Sequence, residues 1–231
     1  MKRTVESLNP NKASEAVAAE FPLRLHVRTD LHLTRKVFHL VTGMAIAFSY
    51  LAGVPTLTLL IVLSSILGFV FMLETARLRI PAFNEKMIKF FSPIIRTHEC
   101  DQPTAIPPYL LSSIIAVLIF PKPVAVLSIL YLACGDPLAS VFGILYGKHS
   151  VRFANGKSLI GTLAGIVTCS VITFLYLKMM SITMPALLAV TLIGGIAGGT
   201  AEMAPVDVDD NFSIPVIAGF VLWLAFIIFA V

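Results

Sequence analysis

Charged residues are scarce in this chain. Only 13% of its 231 residues are Asp, Glu, Lys or Arg, whereas 57% are hydrophobic. A soluble domain carries about 25% charged and about 45–50% apolar residues. The composition therefore excludes an ordinary water-soluble globule, a disordered chain and a nucleic-acid-binding module. It indicates a protein whose solvent is lipid.

Cysteine is scarce as well. The chain has three cysteines, at positions 100, 134 and 169, and they are far apart in sequence. No CxxC pair and no Cys/His spacing typical of zinc occurs, so we expect neither a disulfide framework nor a zinc site. The N-terminal region also lacks the apolar core that a cleavable signal peptide needs. The first membrane segment is therefore expected to act as its own insertion signal.

Long apolar runs, by contrast, are abundant. They predict an all-α, polytopic membrane helix bundle of about seven transmembrane helices, because a bilayer is crossed by about 20 residues of helix. A polar cytoplasmic tail at 1–34, in which 14–25 is either a short surface helix or irregular chain, precedes the transmembrane domain at 35–231. Aromatic and charged residues alternate in the 74–103 loop, which predicts an interfacial amphipathic helix. The apolar segments are 37–52, 54–73, 104–120, 123–146, 158–177, 184–201 and 213–231.

Basic residues lie almost entirely on one side of the predicted bundle. With a cytoplasmic N-terminus, the chain up to Lys36 and the loops at 74–103 and 147–157 hold 15 of the 17 Lys and Arg residues. Only Lys122 and Lys178 fall on the other side. Because Lys and Arg favour cytoplasmic loops, the sequence predicts an N-in, C-out topology. A site for a charged ligand is expected on the cytoplasmic side.

Ionisable residues inside the apolar segments are candidate functional residues, because such groups are costly in a bilayer. Asp136 lies in the fourth segment, about 20 Å from the outer face. It stands between Gly135 and Pro137, which favour a break in the helix. A helix restarting there would aim free N–H groups at an anion. His39 lies one helical turn from Arg35 on the same face of the first segment.

Two further polar clusters flank the later segments. Glycines, lysines and hydroxyls between residues 143 and 162 suit a polyphosphate, although the same glycines also match the spacing of close helix packing. A P-loop is rejected, because Val151 stands where its first glycine belongs and no strand precedes it. Between residues 202 and 211, four carboxylates and an amide form an oxygen-donor set suited to Mg²⁺, or a solvated acidic loop.

Transfer of a phosphoryl or nucleotidyl group needs these parts together: cations and N–H donors for phosphate charge, carboxylates for Mg²⁺, and a positioned nucleophile. Since they converge on one membrane surface, the expected acceptor is a lipid. The candidate catalytic residues are Asp136 and His39, the candidate nucleotide-binding residues are Arg35, Lys36, Gly143, Gly147, Lys148, Lys157, Ser158, Gly161, Thr162 and Asn211, and the candidate metal ligands are Asp136, Glu202, Asp207, Asp209 and Asp210.

Four motifs occur in a fixed order: Arg-Lys-x-x-His at 35–39, Gly-Asp-Pro-x5-Gly-x3-Gly-Lys at 135–148, Lys-Ser-x-x-Gly-Thr at 157–162, and Glu-x4-Asp-x-Asp-Asp-Asn-x3-Pro at 202–215. With them the chain resembles the CTP-dependent lipid kinases, which include dolichol, phytol and yeast-type diacylglycerol kinases. The resemblance implies CTP as phosphoryl donor, Mg²⁺ as cofactor, and a polyprenol, phytol-like alcohol or diacylglycerol as acceptor. The family commonly has an acid where this chain has Ile160, so that acid carries no chemistry here.

Two alternatives remain open. A CTP:phosphatidate cytidylyltransferase uses the same donor but attacks the α-phosphorus. A small transporter with an intramembrane Asp should show inverted repeats and often matched broken helices, whereas the sequence shows no repeat and one predicted break. The expected location is the cytoplasmic membrane of a prokaryote or the endoplasmic reticulum of a eukaryote. The expected partners are CTP, a lipid alcohol and membrane lipids, without nucleic acid, and a homo-oligomer is left open.

Overall fold

The computed structural model describes residues 33–92, 94–153, 155–203 and 209–231. The predicted tail therefore lies outside the described residues, apart from its last two positions. Within these ranges the regular structure is helical, and an isolated antiparallel bridge joins Arg152 and Ser158. The helices in chain order are α1 (Leu33–Leu51), α2 (Thr56–Arg79), α3 (Pro81–Phe91), α4 (Ile106–Ile119), α5 (Lys122–His149), α6 (Leu159–Met179), α7 (Met184–Met203) and α8 (Asp210–Phe229).

The predicted all-α membrane bundle is confirmed. Helices α2, α5, α6, α7 and α8 are long and apolar enough to cross a membrane. Helices α1 and α4 occupy the other two predicted apolar segments, and α3 is the helix expected in the 74–103 loop. Prolines stand in the first turn of α4, where their missing N–H costs least. The number of spans and the N-in orientation stay predictions.

Helix α5 is the centre of the bundle. In its most apolar window 67% of the residues are buried, against 11% in α2, which therefore lies at the periphery. Helix α5 contacts α1, α4, α6, α7 and α8. Since Asp136 lies midway along this central helix, its position in the chain places it among the other helices of the bundle.

The predicted break in the helix at Asp136 is wrong. Helix α5 instead widens into a π turn at Tyr131–Gly135 and resumes α geometry at Asp136, whose N–H donates to the Tyr131 carbonyl. Pro137 stands in the first turn after this point. Because the backbone stays helical through the turn, no row of free N–H groups forms here. Single π turns of this kind are frequent at functional sites.

Glycines let α6 approach two neighbouring helices closely. A Cβ atom on Gly199 of α7 would overlap the backbone of Ile166 in α6. Near the end of α5, a Cβ atom on Gly143 would lie 2.9 Å from the Ser158 hydroxyl oxygen, and one on Gly147 would lie 2.6 Å from it. These positions have a packing role, and the packing brings the start of α6 against the helix that carries Asp136.

Candidate active site

Polar residues from the helix ends surround one cavity of about 460 Å³. Small-molecule sites have volumes of roughly 300–1,000 Å³, so a ligand of that class fits by size. Every residue that the sequence analysis assigned to the site lines this cavity, except Gly147 and Asp207. Gly147 is buried against Ser158, and Asp207 lies outside the described residues. The roles of the individual residues stay predictions.

Lys157 pairs with two carboxylates at the cavity wall. Its ammonium contacts Glu202 at the end of α7, and it lies 2.8 Å from a carboxylate oxygen of Asp210 at the start of α8. Burial alone would lower the pKa of the Lys157 ammonium, but the two carboxylates outweigh burial and raise that pKa. Lys157 is therefore charged at neutral pH, and it ties the start of α6 to α7 and α8.

The loop before α6 fixes the backbone from which Lys157 projects. The Phe153 N–H donates to the Lys157 carbonyl at 2.9 Å, and the Lys157 N–H donates to the side-chain oxygen of Asn155 at 3.1 Å. Gly156 has a φ of +80°, a backbone conformation that favours glycine. The Asn155 amide also donates to the Glu202 carbonyl at 3.3 Å, which fastens the loop to α7.

Asp136 faces the same cavity from the middle of α5. The charges that act on its carboxylate most strongly are those of Lys157 and Asp210, followed by Arg96 and Lys36. The cavity therefore brings acidic and basic side chains together around one carboxylate. This arrangement suits a ligand that carries both phosphate charge and a bound cation.

The start of α8 is held by its own polar side chains. Asp209 caps the helix, and its carboxylate accepts the Asn211 N–H at 2.8 Å and the Asn211 side-chain amide at 2.5 Å. The Ser112 hydroxyl of α4 donates to the Asn211 carbonyl at 2.7 Å. Asn211 thus has a structural role at the cavity wall, and its contact with a nucleotide stays a prediction.

His39 is buried in α1, with 6% of its surface exposed, and it lines the cavity. Its Nδ1 atom has no hydrogen-bond partner among the described residues. The Tyr109 ring packs edge-on against the imidazole at 4.9 Å between centroids, and the Tyr109 hydroxyl donates to the His39 carbonyl at 3.0 Å. An unpaired buried nitrogen is costly to the fold, so the environment of this imidazole is not fully satisfied by the described residues.

Arg35 in α1 makes a buried ion pair that the sequence analysis missed. One of its guanidinium nitrogens lies 2.7 and 2.8 Å from the two carboxylate oxygens of Glu99, which also accepts the Arg96 N–H at 2.9 Å. Glu99 lies in a 3-10 turn at Thr97–Cys100. Part of the donor capacity of Arg35 is therefore used within the protein. The partners are 64 residues apart, so no local pattern signals the pair.

Among the lining residues that were not assigned to the site from the sequence are two arginines and an asparagine: Arg96, Arg152 and Asn155. The two arginines belong to the basic loops that set the predicted topology, and Asn155 precedes the Gly-Lys-Ser sequence. The available signal was their position on the predicted cytoplasmic side. That signal does not separate membrane-surface arginines from cavity-lining ones.

The acidic residues of the cavity have the donor chemistry that Mg²⁺ prefers, since Asp136, Glu202, Asp209 and Asp210 all present carboxylate oxygens. In the described part of the chain, no three acidic, His or Cys side chains converge closely enough to enclose a metal ion. Instead, the Lys157 ammonium lies between Glu202 and Asp210. The carboxylate oxygens of the cavity are thus suited in chemical type to a hard divalent cation. Two of the four carboxylates, those of Glu202 and Asp210, are paired with the Lys157 ammonium in this structure.

Comparison with known proteins finds three fungal relatives. The chain is 31% identical to CTP-dependent diacylglycerol kinase 1 of Eremothecium gossypii over 82% of this chain and 66% of the kinase. It is 27% identical to the protein of that name from Saccharomyces cerevisiae, over 82% and 72%, and 30% identical to that from Schizosaccharomyces pombe, over 68% and 78%. The matches thus cover 66 to 78% of the relatives' lengths. No family model matches the chain, and no solved structure matches it significantly.

Proposed function

Because the chain belongs to the family of CTP-dependent lipid kinases, we propose that it transfers the γ-phosphate of CTP to the hydroxyl of a lipid alcohol. We propose diacylglycerol as that alcohol, since the relatives are named as diacylglycerol kinases; polyprenol and phytol-like alcohols share the same reacting hydroxyl. The observation that supports the proposal most is the single cavity in which Asp136, His39 and Lys157 meet at one end of a membrane bundle.

In this proposal, the basic residues of the cavity bind the triphosphate. Lys148 and Arg152 are exposed at the wall, and Lys36 and Arg96 line the cavity from α1 and from the loop after α3. Charge-assisted hydrogen bonds to phosphate oxygens are about twice as strong as neutral ones. These cations would hold the phosphates between the end of α5 and the start of α6.

The acceptor hydroxyl would enter beside α1 and α5. Its oxygen would bond to the γ-phosphorus, the bond from that phosphorus to the β–γ bridging oxygen would break, and CDP would leave. The hydroxyl proton would pass to the His39 imidazole or to the Asp136 carboxylate. Mg²⁺, which Asp136, Glu202, Asp209 and Asp210 would hold, supplies charge neutralisation at the β- and γ-phosphates when bound.

Labelled CTP tests the reaction. Purified protein in detergent is incubated with CTP labelled at the α- or the γ-phosphate, together with diacylglycerol, phosphatidate, dolichol or phytol. A lipid kinase transfers only the γ-label and releases CDP. Transfer of the α-label to phosphatidate with release of pyrophosphate would establish a cytidylyltransferase. Absence of transfer to every lipid would contradict both enzymes and favour the transporter.

The pH profile of turnover tests the proton acceptor. If His39 takes the proton, His39→Gln lowers kcat and removes the acidic limb of the profile, because glutamine does not titrate. Tyr109→Phe is the matched control, since it removes the hydroxyl that bonds the His39 backbone and leaves the imidazole intact. An unchanged profile in His39→Gln would assign the proton to Asp136.

A further inference from the structure

One ammonium serves two carboxylates at the cavity wall. Lys157 reaches Glu202 on α7 and Asp210 on α8, so acids from two helices meet at a single positive charge. The Glu202 side chain is 8% exposed and that of Lys157 is 18% exposed. Glu202 is thus largely withdrawn from water and Lys157 is its ion-pair partner, whereas the Asp210 side chain is 38% exposed.

The ammonium contacts carboxylate oxygens of Glu202 and Asp210, which are the oxygens that would hold a divalent cation bound by this pair. A metal ion bound by Glu202 and Asp210 would need the oxygens that Lys157 now contacts, and the two cations would repel each other at that distance. In the described residues no three metal ligands converge, although four carboxylates line the cavity. Metal binding to this pair therefore requires Lys157 to leave.

The Lys157 side chain can move away from the two carboxylates while the backbone of its loop stays in place. Its backbone is fixed on both sides by the bonds to Phe153 and Asn155. The side chain itself is a compact charge on a flexible four-carbon stem. Phosphate oxygens bound near Lys148 and Arg152 would offer the ammonium a new partner within the same cavity.

We propose that Lys157 is a resident counter-ion that keeps the Glu202–Asp210 pair closed to a divalent cation until nucleotide phosphates take over its ammonium. This inference rests on the proposed function, because it assumes that the cavity binds a metal–nucleotide pair. Its consequence is cooperativity: nucleotide raises the affinity for metal, and metal raises the affinity for nucleotide by the same factor.

Binding of Mn²⁺ tests the exchange without any turnover. Free Mn²⁺ is titrated by its electron paramagnetic resonance signal against the purified protein, with and without the β,γ-methylene analogue of CTP. In the natural protein the analogue should tighten Mn²⁺ binding by about tenfold or more, within the range of roughly 5- to 150-fold typical of coupled sites. In Lys157→Gln, Mn²⁺ alone should bind about tenfold tighter than to the natural protein, and the effect of the analogue should shrink.

Two variants serve as controls. Lys157→Arg keeps the positive charge and should keep metal binding dependent on the analogue. Lys148→Gln removes one positive charge from the same cavity, from a residue that forms no ion pair with either acid in the described structure, and should change Mn²⁺ affinity much less than Lys157→Gln.

Equal Mn²⁺ affinity of the natural protein with and without the analogue would overturn the inference, whether or not any variant folds. So would equal affinity of Lys157→Gln and the natural protein for Mn²⁺ alone. Coupled binding in a protein that releases no CDP would instead refute the kinase reaction while supporting the exchange. The two failures are thus separate results.

Discussion

Two basic residues at the same end of the bundle use their charges differently. Arg77, at the end of α2, is 2% exposed, and each of its five N–H groups has an acceptor within the protein. The guanidinium donates to the Glu74 carboxylate twice, to the Asn84 side-chain oxygen, and to the carbonyls of Cys100 and Gln102. Arg77 is therefore completely matched by the fold and has no capacity left for a ligand.

Lys157 has the opposite environment. Its ammonium contacts only side-chain carboxylates, Glu202 and Asp210, and both line a cavity with Asp136. A planar guanidinium bound by backbone carbonyls is a fixed structural element, whereas an ammonium on a flexible stem exchanges partners readily. The comparison shows that burial of a charge does not identify a site. What identifies it is a partner set that a ligand is able to replace.

The largest expected effect is on the cavity side of this comparison. Asp136→Asn preserves the shape of the side chain but removes its charge. Turnover of CTP with diacylglycerol should fall about a thousandfold, the upper range for losing one electrostatic contact in a transition state. The melting temperature should stay the same, because asparagine keeps the size and the hydrogen-bonding capacity of the side chain. Full activity in a folded Asp136→Asn protein would contradict its assignment, and loss of folding would indicate a structural role.

Arg77 should show the reverse pattern. Arg77→Met removes the cation from a buried network and leaves the Glu74 carboxylate with only Thr104 as a donor, which should destabilise the fold by about 3–5 kcal/mol. The KM for CTP in the surviving folded protein should not change. Arg79→Met is the matched control, since Arg79 lies two residues further along α2, is exposed, and its loss should leave unfolding unaltered. An increased KM for CTP in Arg77→Met would contradict the distinction between a structural Arg77 and a ligand-binding Lys157.

The Arg35–Glu99 pair lies between these extremes, because Arg35 lines the cavity while Glu99 anchors it. Glu99→Gln removes one charge of the pair and should lower the free energy of unfolding by about 1–3 kcal/mol. Arg35→Met should destabilise the fold similarly. If Arg35 also contacts phosphate, its variant raises the KM for CTP more than Glu99→Gln does. The double variant separates the two roles. If the two single variants have equal effects on the free energy of unfolding and on the KM for CTP, and the double variant is no worse than either, Arg35 has a structural role alone.

The sequence predicted correctly those features that depend on local composition, such as hydropathy and loop charge. Hydropathy located α2 and α5 because a bilayer demands long apolar helices, and it marked Asp136 because a carboxylate within them is costly. It also brought the polar motifs to one surface through the charge bias of the loops. These signals are local, so they identified the members of the cavity without any knowledge of tertiary contacts.

The sequence could not predict which side chains contact each other in the folded protein. Whether Lys157 contacts phosphate or Glu202 depends on how α6 packs on α7, and that packing is set by surfaces of small residues such as Gly199. The π turn before Asp136 was misjudged for a related reason. Gly135 and Pro137 weaken a helix, but the neighbouring helices hold α5 continuous at the centre of the bundle.

The smallest expected effect belongs to the exposed pair between Lys89 and Glu85 on α3, 2.6 Å apart with side chains more than half exposed. The hydrogen bond from Lys89 lowers the pKa of the Glu85 carboxyl. A carboxyl whose pKa falls on folding stabilises the native state above its ordinary titration range, and the benefit disappears as pH falls through the lowered pKa.

Water and salt screen this pair, so Glu85→Gln should leave the melting temperature and turnover at neutral pH unchanged. The measurement is a thermal unfolding curve at low and high salt. A salt-sensitive loss as large as that of Glu99→Gln would mean that ion pairs act here irrespective of burial, and the contrast between buried and exposed charges would no longer hold.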